Sequence, residues 1–372
     1  MALYKVVWKG PVHTASGLGV ASREYVRALK RQGVKVTVQG KRSRPPKKGG
    51  HRLVLLYHFT PNTIILRKER KHFNHIILNT VWETTKIPNQ WRGNMNRFDA
   101  VFVPSLQNKT AMRRSGVKVP IFIVPHGINT KTFTPHNPKF RLSAAKGKFV
   151  FVSIFSFQHR KNPEGLLRAY WEEFSSADNV LLVIKTNGFA SYENQQWILN
   201  RIMAYKRRLG IRKKTAPIVL IARHLNNKQQ KGIYTLGHAF VLPTRGEGVG
   251  LPFLESLASG IPVITTGWGG HMDFLTNRNS FFVRFNMRNP AASMNRSSSI
   301  SRQFRYLFAQ KGQRWAEPDN GSLKRQMRYA FNNRSLCAQK GRHGRGDALH
   351  HSWNRSGALM KQAIEKVIRH KK

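Results

Sequence analysis

Short apolar runs alternate with segments of helical periodicity from one end of the chain to the other. Leu3–Trp8 reads as a buried strand. Ser16-Gly17-Leu18-Gly19 turns the chain into a helix over Val20–Gln32, and Val34–Val38 is the next strand. This order of strand, glycine-rich turn, helix and strand predicts the opening of a doubly wound α/β domain. Residues 41–50 read as a basic, Pro/Gly-rich loop. Strand-like runs follow at Leu53–Tyr57, Ile76–Thr80, Ala100–Val103 and Ile121–Val124, with the clearest helix at Ser105–Ser115.

Residues 126–148 change character: they are polar, carry Pro135, Pro138 and Gly147, and lack periodicity, as a linker does. A second α/β series then begins. Lys148–Phe155, Val180–Thr186, Ile218–Ile221, Ala239–Leu242, Pro262–Thr265 and Ser280–Val283 read as strands. Helices are expected at Pro163–Phe174, Glu193–Leu209 and Pro252–Ser259, then at Asn320–Phe331 and Ser352–Ile368; residues 286–303 read as loop. The fold class expected is α/β, with two Rossmann-like doubly wound domains, 1–140 and 141–350, and a C-terminal helix in 351–372. Two such domains would face each other across a cleft at the carboxyl ends of their strands, where ligands of such sheets bind.

Composition changes this picture in one respect. Of 372 residues 40% are hydrophobic, enough for a sizeable core, which excludes wholesale disorder. Charge is the abnormal quantity: 65 Lys+Arg against 16 Asp+Glu gives +49. Non-specific binding of polyanions follows from that figure alone, and an anionic membrane surface is a further expected partner. Cys337 is the sole cysteine, so neither an intrachain disulfide nor a multi-cysteine metal site is available. The N-terminal residues have no basic stretch followed by a long apolar core, so no secretory leader is expected. No apolar stretch approaches the ~20 residues of a membrane helix. A cytoplasmic protein, at most peripheral at a membrane, is the expectation.

The richest segment is Leu242–Ile264, LPTRGEGVGLPFLESLASGIPVI. A strand ends, a glycine-rich turn holds Glu247, and a helix opens at Pro252 with Glu255 expected in its first turn. Backbone N–H groups at a helix start attract a diphosphate. Two carboxylates flanking such a site cannot bind phosphate, so hydroxyls are their natural partners. An anion site with hydroxyl acceptors on either side describes a nucleoside diphosphate sugar. The plain structural reading is that Glu255 complements the helix dipole and Glu247 is a turn residue. Against it, a chain with 16 acids keeps two within nine residues here.

The segment resembles the Glu-x7-Glu motif of the GT-B glycosyltransferases, specifically glycosyltransferase family 4 (glycosyl transferases group 1). The likeness extends to Ser16-Gly17-Leu18-Gly19, Val81-Trp82-Glu83-Thr84, Val124-Pro125-His126-Gly127-Ile128-Asn129, Arg160-Lys161-Asn162, Trp268-Gly269-Gly270-His271-Met272-Asp273 and Trp315-Ala316-Glu317-Pro318. It implies a GT-B fold, a C-terminal domain for the sugar nucleotide, an N-terminal domain for the acceptor, and a tail helix returning to the N-terminal domain. It implies retaining transfer from a nucleoside diphosphate sugar, as co-substrate with no other cofactor and no metal, to a sugar, lipid-linked or other acceptor hydroxyl.

Carried over by residue, the resemblance implies that Glu247 is catalytic, beside the transferred sugar. Arg160 and Lys161 would clamp the diphosphate, with Gly17 and Gly19 bordering it and Val249, Gly250 and Leu251 offering backbone donors. Glu255 would hold the ribose and Arg223 would lie near the nucleobase. His126 is either a cleft group or a hydrogen-bonded loop histidine. Many family members have a His in the strand-end segment that is Ile77-Leu78-Asn79-Thr80-Val81-Trp82-Glu83 here, which leaves Glu83 as its polar group. Two other classes compete: a polyanion-binding protein on an α/β scaffold, and a sugar-nucleotide epimerase of the same fold. The cations are spread along the whole chain with no nucleic-acid module, which disfavours the first.

Overall fold

A computed structural model describes residues 4–40, 43, 52–296 and 298–369; the basic stretch 41–50, but for Ser43, lies outside the described residues. The first six apolar runs form β1 (Tyr4–Lys9), β2 (Val36–Gln39), β3 (Arg52–Tyr57), β4 (His75–Asn79), β5 (Ala100–Val103) and β6 (Ile121–Ile123). They pair in parallel in the order β2-β1-β3-β4-β5-β6. A parallel sheet is covered on both faces, so its strands read as unbroken apolar runs rather than alternating ones. Leu53, Val54, Leu55, Leu56 and Tyr57 are accordingly all buried.

This sheet belongs to a compact unit that runs to Ile128 and resumes at His351. Helix Gly17–Arg31 starts at Ser16, whose hydroxyl caps the Gly19 N–H, so it begins three residues earlier than the expected Val20. The C-terminal helix, Trp353–Arg369, packs against it, with the Trp353 ring edge-on to Tyr25 at 5.2 Å.

The second unit spans Asn129–His350. Its strands are β7 (Phe149–Ser156), β8 (Val180–Asn187), β9 (Ile218–Ile221), β10 (Ala239–Leu242), β11 (Val263–Thr266) and β12 (Ser280–Val283). They form a parallel sheet in the order β12-β11-β10-β7-β8-β9. Counted from β7, this is the Rossmann order 3-2-1-4-5-6 read from its other edge. The fold class is therefore α/β with two Rossmann-like units, as expected.

Three features depart from the sequence reading. Residues 129–140 group with the second unit rather than the first, because they pack on it: Phe133 meets Tyr234 at 5.9 Å, and the Phe140 N–H donates to the Gly232 carbonyl at 2.9 Å. The segment read as loop over 286–303 contributes β13 (Phe285–Arg288), antiparallel to β14 (Trp315–Pro318), and a helix at Pro290–Met294. Helix Arg334–Leu349 was not expected at all.

The last omission has a physical reason. Gly341, Gly344 and Gly346 lower its helix propensity, and its apolar residues form no clear stripe. Packing makes the helix. It lies against helix Leu251–Ala258 so closely that a Cβ on Gly341 would fall on the Gly260 carbonyl oxygen, and one on Gly344 would sit 2.6 Å from Leu257 Cδ2. Gly341→Ala should therefore destabilise the protein by about 1–3 kcal/mol through overpacking, although alanine is the better helix former. Gly346→Ala, where a Cβ meets open space, should be neutral or stabilising. Urea unfolding of the two variants measures the contrast.

Candidate active site

The chain leaves β7 toward β8 and β9 on one side of the sheet, while β10, β11 and β12 lie on the other. Where strand order reverses, the loops at the carboxyl ends of neighbouring strands part and leave a ligand site. The loops after β7 and β10 carry Arg160, Lys161 and Glu247.

Both loops are held by their own backbones. After β7 the chain makes a 3-10 turn, His159–Lys161. Asn162 follows with φ 57°, the only non-glycine at positive φ among the described residues. Its side chain serves both elements: Oδ1 accepts from the Gly165 N–H at 3.0 Å, capping helix Pro163–Glu173, and Nδ2 donates to the Pro243 carbonyl at 3.0 Å. Asparagine suits this place because its short polar side chain tolerates the left-handed region and caps helices. Across the gap, the Arg245 N–H donates to the Arg160 carbonyl at 2.8 Å. After β11, the Gly270 N–H donates to the Glu247 carbonyl at 2.7 Å, so a third loop fixes the Glu247 backbone.

The side chains then converge. The Lys161 ammonium donates to Glu247 Oε1 at 2.5 Å, and the Arg160 guanidinium lies 3.1 Å from Oε2 while donating to the Gly246 carbonyl. Exposures of 4% for Glu247, 8% for Arg160 and 9% for Lys161 make this a buried ion triad of net charge +1. Burial alone would raise the Glu247 carboxyl, but Lys161 and Arg160 outweigh it and hold it at about 2. Beside it, His271 Nε2 donates to the Thr266 carbonyl at 2.8 Å, and burial lowers the imidazole, which stays neutral.

Val249, Gly250 and Leu251 lie where helix Leu251–Ala258 begins. Its N-cap is Gly250, at φ 84°, and no side chain caps it. Seven other helices are capped by Ser16, Ser105, Asn162, Asn194, Asn226, Asn289 and Asp319, whereas those opening at Leu66, Asn89, Arg305 and Arg334 also lack a side-chain cap. An uncapped helix start leaves backbone donors for an anion. A side chain at Gly250 would be strained by its φ and would press on the Phe253 ring.

Glu255 differs from expectation. It stands in the second turn of the helix, not the first, because the helix opens at Leu251 and no acid occupies its first turn. It is therefore not a dipole partner. Half-buried, it accepts from the Tyr234 hydroxyl at 2.5 Å, and among the described residues no Lys or Arg forms an ion pair with it. Burial raises its carboxyl to about 7, against the pull of Tyr234. The two glutamates of the motif thus titrate in opposite directions from one starting value.

Within the second unit, Arg223 does not join this cluster. Arg223 is exposed after edge strand β9, with β8 between it and β7. Gly17, Gly19, Glu83 and His126 belong to the first unit. Gly17 opens the first helix, and at Gly19 a Cβ would strike the Thr14 carbonyl. Glu83 is half-buried in the loop after β4. His126 packs against the Tyr25 and Trp353 rings at 5.6 and 5.7 Å; burial lowers it to about 4, and its Nδ1 has no hydrogen-bond partner. Among the described residues, no group of three or more His, Cys, Asp or Glu could hold a metal ion, and no helix is long and apolar enough to cross a membrane.

Sequence reasoning missed a second buried cluster directly behind the triad, Arg245 with Glu164 and Glu317. The signal was present: both acids are among the 16 that the chain retains, the same scarcity that singled out Glu247.

The chain resembles known proteins in part of its sequence and in its fold. Residues 137–301 match the family glycosyl transferases group 1. Alpha-monoglucosyldiacylglycerol synthase of Streptococcus pneumoniae is 26% identical over 184 residues, 47% of this chain and 39% of that protein, so the chain matches well under half of this curated relative's length. Among solved structures, sucrose-phosphate synthase from Thermosynechococcus elongatus superposes with a TM-score of 0.70 at 14% identity, covering 99% of this chain and 100% of that one. Anabaena HepE, solved with UDP and glucose, gives 0.67 at 11% identity, covering 98% and 100%.

The triad carries a sign-specific prediction. Because the folded carboxyl of Glu247 lies at about 2 and its ordinary value is 4.5, its contribution is complete above about 4.5 and disappears as pH falls toward 2. That shift corresponds to about 3 kcal/mol. Glu247→Gln should lower the melting temperature at pH 7, since it leaves two buried cations face to face, and should flatten the fall in stability between pH 5 and 2. Thermal unfolding across pH measures both.

Residues 137–301 thus resemble the glycosyl transferases group 1, and nearly the whole chain shares the two-unit α/β fold, of the GT-B kind, seen in sucrose-phosphate synthase and HepE.

Proposed function

We propose that the protein transfers a sugar, with retention of anomeric configuration and without a metal, from a nucleoside diphosphate sugar to an acceptor hydroxyl. The observation that carries the reading is the buried triad of Glu247 with Arg160 and Lys161, beside an uncapped helix start at the switch point of the second sheet.

The charge balance fits. In transfer, the bond between the anomeric carbon and the diphosphate oxygen breaks, its electron pair leaves with the nucleoside diphosphate, a bond to the acceptor oxygen forms, and the acceptor proton departs. Negative charge grows on the leaving diphosphate, and fixed cations there stabilise that change. Arg160, Lys161 and the N–H groups of Val249, Gly250 and Leu251 supply them, a triad of net +1 remaining attractive to the anion. Positive character grows at the anomeric carbon, where the Glu247 carboxylate, ionised at any physiological pH, opposes it. Glu255 takes the ribose hydroxyls: its lack of a cationic partner in a chain of charge +49 leaves its oxygens available. Arg223 is assigned to the nucleobase, Gly17 and Gly19 to the border of the diphosphate, and Glu83 and His126 are the candidate polar groups of the first unit. A lipid-linked acceptor is supported by the relative from Streptococcus pneumoniae, whose name describes a glycolipid synthase.

A thermal-shift screen against UDP-, GDP- and ADP-sugars at moderate salt tests the reading, with polyphosphate as the control for bulk charge. One base should raise the melting temperature beyond what polyphosphate does, through mass action on the native state; equal shifts from every polyanion would support the polyanion-binding alternative.

Affinity for that donor should also depend on pH through Glu255. Only the ionised carboxylate accepts from both ribose hydroxyls, so affinity should fall as pH drops through about 7. Glu255→Gln should bind the donor more weakly at pH 8 and lack this step. Titration calorimetry from pH 5.5 to 8.5 reads the difference, and an unchanged step in the variant would remove Glu255 from the ribose site.

A further inference from the structure

Behind the triad lies a cavity of about 170 Å³, lined by His159, Glu164, Arg245, Ser293, Glu317 and Asn320 among others. Arg245 forms one wall. The Trp315 ring packs beside it, 5.9 Å from both the Arg245 guanidinium and the His159 ring. We propose that Arg245 is a positioning residue: a buried strut that locks the loop after β7 to the loop after β10 and so sets the spacing of Arg160, Lys161 and Glu247. This inference rests on the donor-binding reading of the triad.

The bonds of Arg245 reach three segments. Its guanidinium donates to the His159 carbonyl at 2.5 Å, one residue before Arg160. Its backbone N–H donates to the Arg160 carbonyl, and its own carbonyl accepts from the Ala316 N–H at 2.9 Å. Nε and one terminal nitrogen form a fork on the Glu317 carboxylate of β14, at 2.8 and 3.0 Å. The other terminal nitrogen lies 3.7 Å from Glu164 Oε2. Glu164 is fixed in turn: its Oε1 accepts from the Ile300 N–H at 2.9 Å and from the Ser301 hydroxyl at 3.2 Å, and lies 3.3 Å from His159 Nδ1. Arg245 and Glu164 are each about 5% exposed. A planar fork that meets a carboxylate on one side and a backbone carbonyl on the other fixes direction as well as distance. Lysine carries the charge but not the fork.

The Arg245 side chain donates to His159 and Glu317, and its bond to Arg160 runs between backbones, so its effect should pass through loop position. The test uses Arg245→Met, Arg245→Lys and Glu317→Gln in the full chain. Glu317→Gln keeps an acceptor for Arg245, and so keeps the test open if Arg245→Met fails to fold. The first readout is amide hydrogen exchange without any ligand. Exchange over residues 158–162 and 244–248 should rise roughly tenfold or more in the Met and Gln variants, while helix Gly17–Arg31 keeps its wild-type rates. The second readout is the affinity for inorganic pyrophosphate, which bears the diphosphate without base or sugar. It should weaken roughly tenfold, and Arg245→Lys should not restore it.

Unchanged exchange in these loops would overturn the strut. Faster exchange with unchanged pyrophosphate affinity would overturn its role in positioning the cations, as would full rescue by lysine, which would make it a matter of charge alone. If the wild-type protein binds pyrophosphate no better than surface charge predicts, the donor reading of the triad fails, and the exchange data still decide whether Arg245 locks the two loops.

Discussion

A carboxylate and two cations share a dry site at the ends of two neighbouring parallel strands, and much of the second unit serves to keep them there. None of the three could be buried alone: an unpaired charge in the interior costs several kcal/mol. Together they satisfy one another, and their backbones are tied by the Asn162, Arg245 and Gly270 bonds to neighbouring loops. The triad holds charges that a diphosphate and a departing glycosyl bond would meet, set before any ligand arrives. Preorganisation of that kind is where enzymes gain most of their electrostatic advantage.

The net charge of +49 looks at first like the dominant fact about the chain, yet it has little to do with the site. Most of the few acids are engaged with Lys or Arg at structural positions: Glu69 with Lys9, Asp99 with Arg70, Glu193 with Arg302, Glu173 and Asp178 with Arg328. Acids therefore mark places where the fold needs a counter-charge. Glu255 departs from this rule, since it faces a tyrosine hydroxyl in place of a cation and carries a raised carboxyl. A surplus of surface cations binds polyanions through counterion release and falls with salt, whereas a buried triad is screened much less. The two kinds of anion binding are separable on that ground.

Parallel sheets buried on both faces announce themselves as apolar runs, so β5, β9, β10 and β12 were legible in the sequence to the residue. That Glu247, Arg160 and Lys161 stand in loops at strand ends was legible in the strand-turn-helix pattern; their pairing was not. What was not legible depends on contacts between distant segments. Helix Arg334–Leu349 is written in glycines that deny it propensity and allow it to dock. Residues 129–140 look like a linker because they lie along the second unit without regular structure. Tyr234, the partner of Glu255, is 21 residues away from it and had no local signal. Arg245 sat inside the motif itself, but its carboxylate partners lie far from it in sequence, so its role appears only in three dimensions.

On the function proposed above, Arg160 and Lys161 bind a diphosphate specifically rather than as two cations among 65. Calorimetric titration of the preferred nucleoside diphosphate into Arg160→Ala/Lys161→Ala, beside a control with exposed Lys118 and Lys228 both changed to Ala, tests it most directly. The account predicts that the first variant loses most of its affinity for the nucleoside diphosphate while affinity for the free nucleoside holds, and that the control behaves as wild type at moderate salt. Equal weakening in the two variants would contradict it and reduce the triad to a structural ion pair.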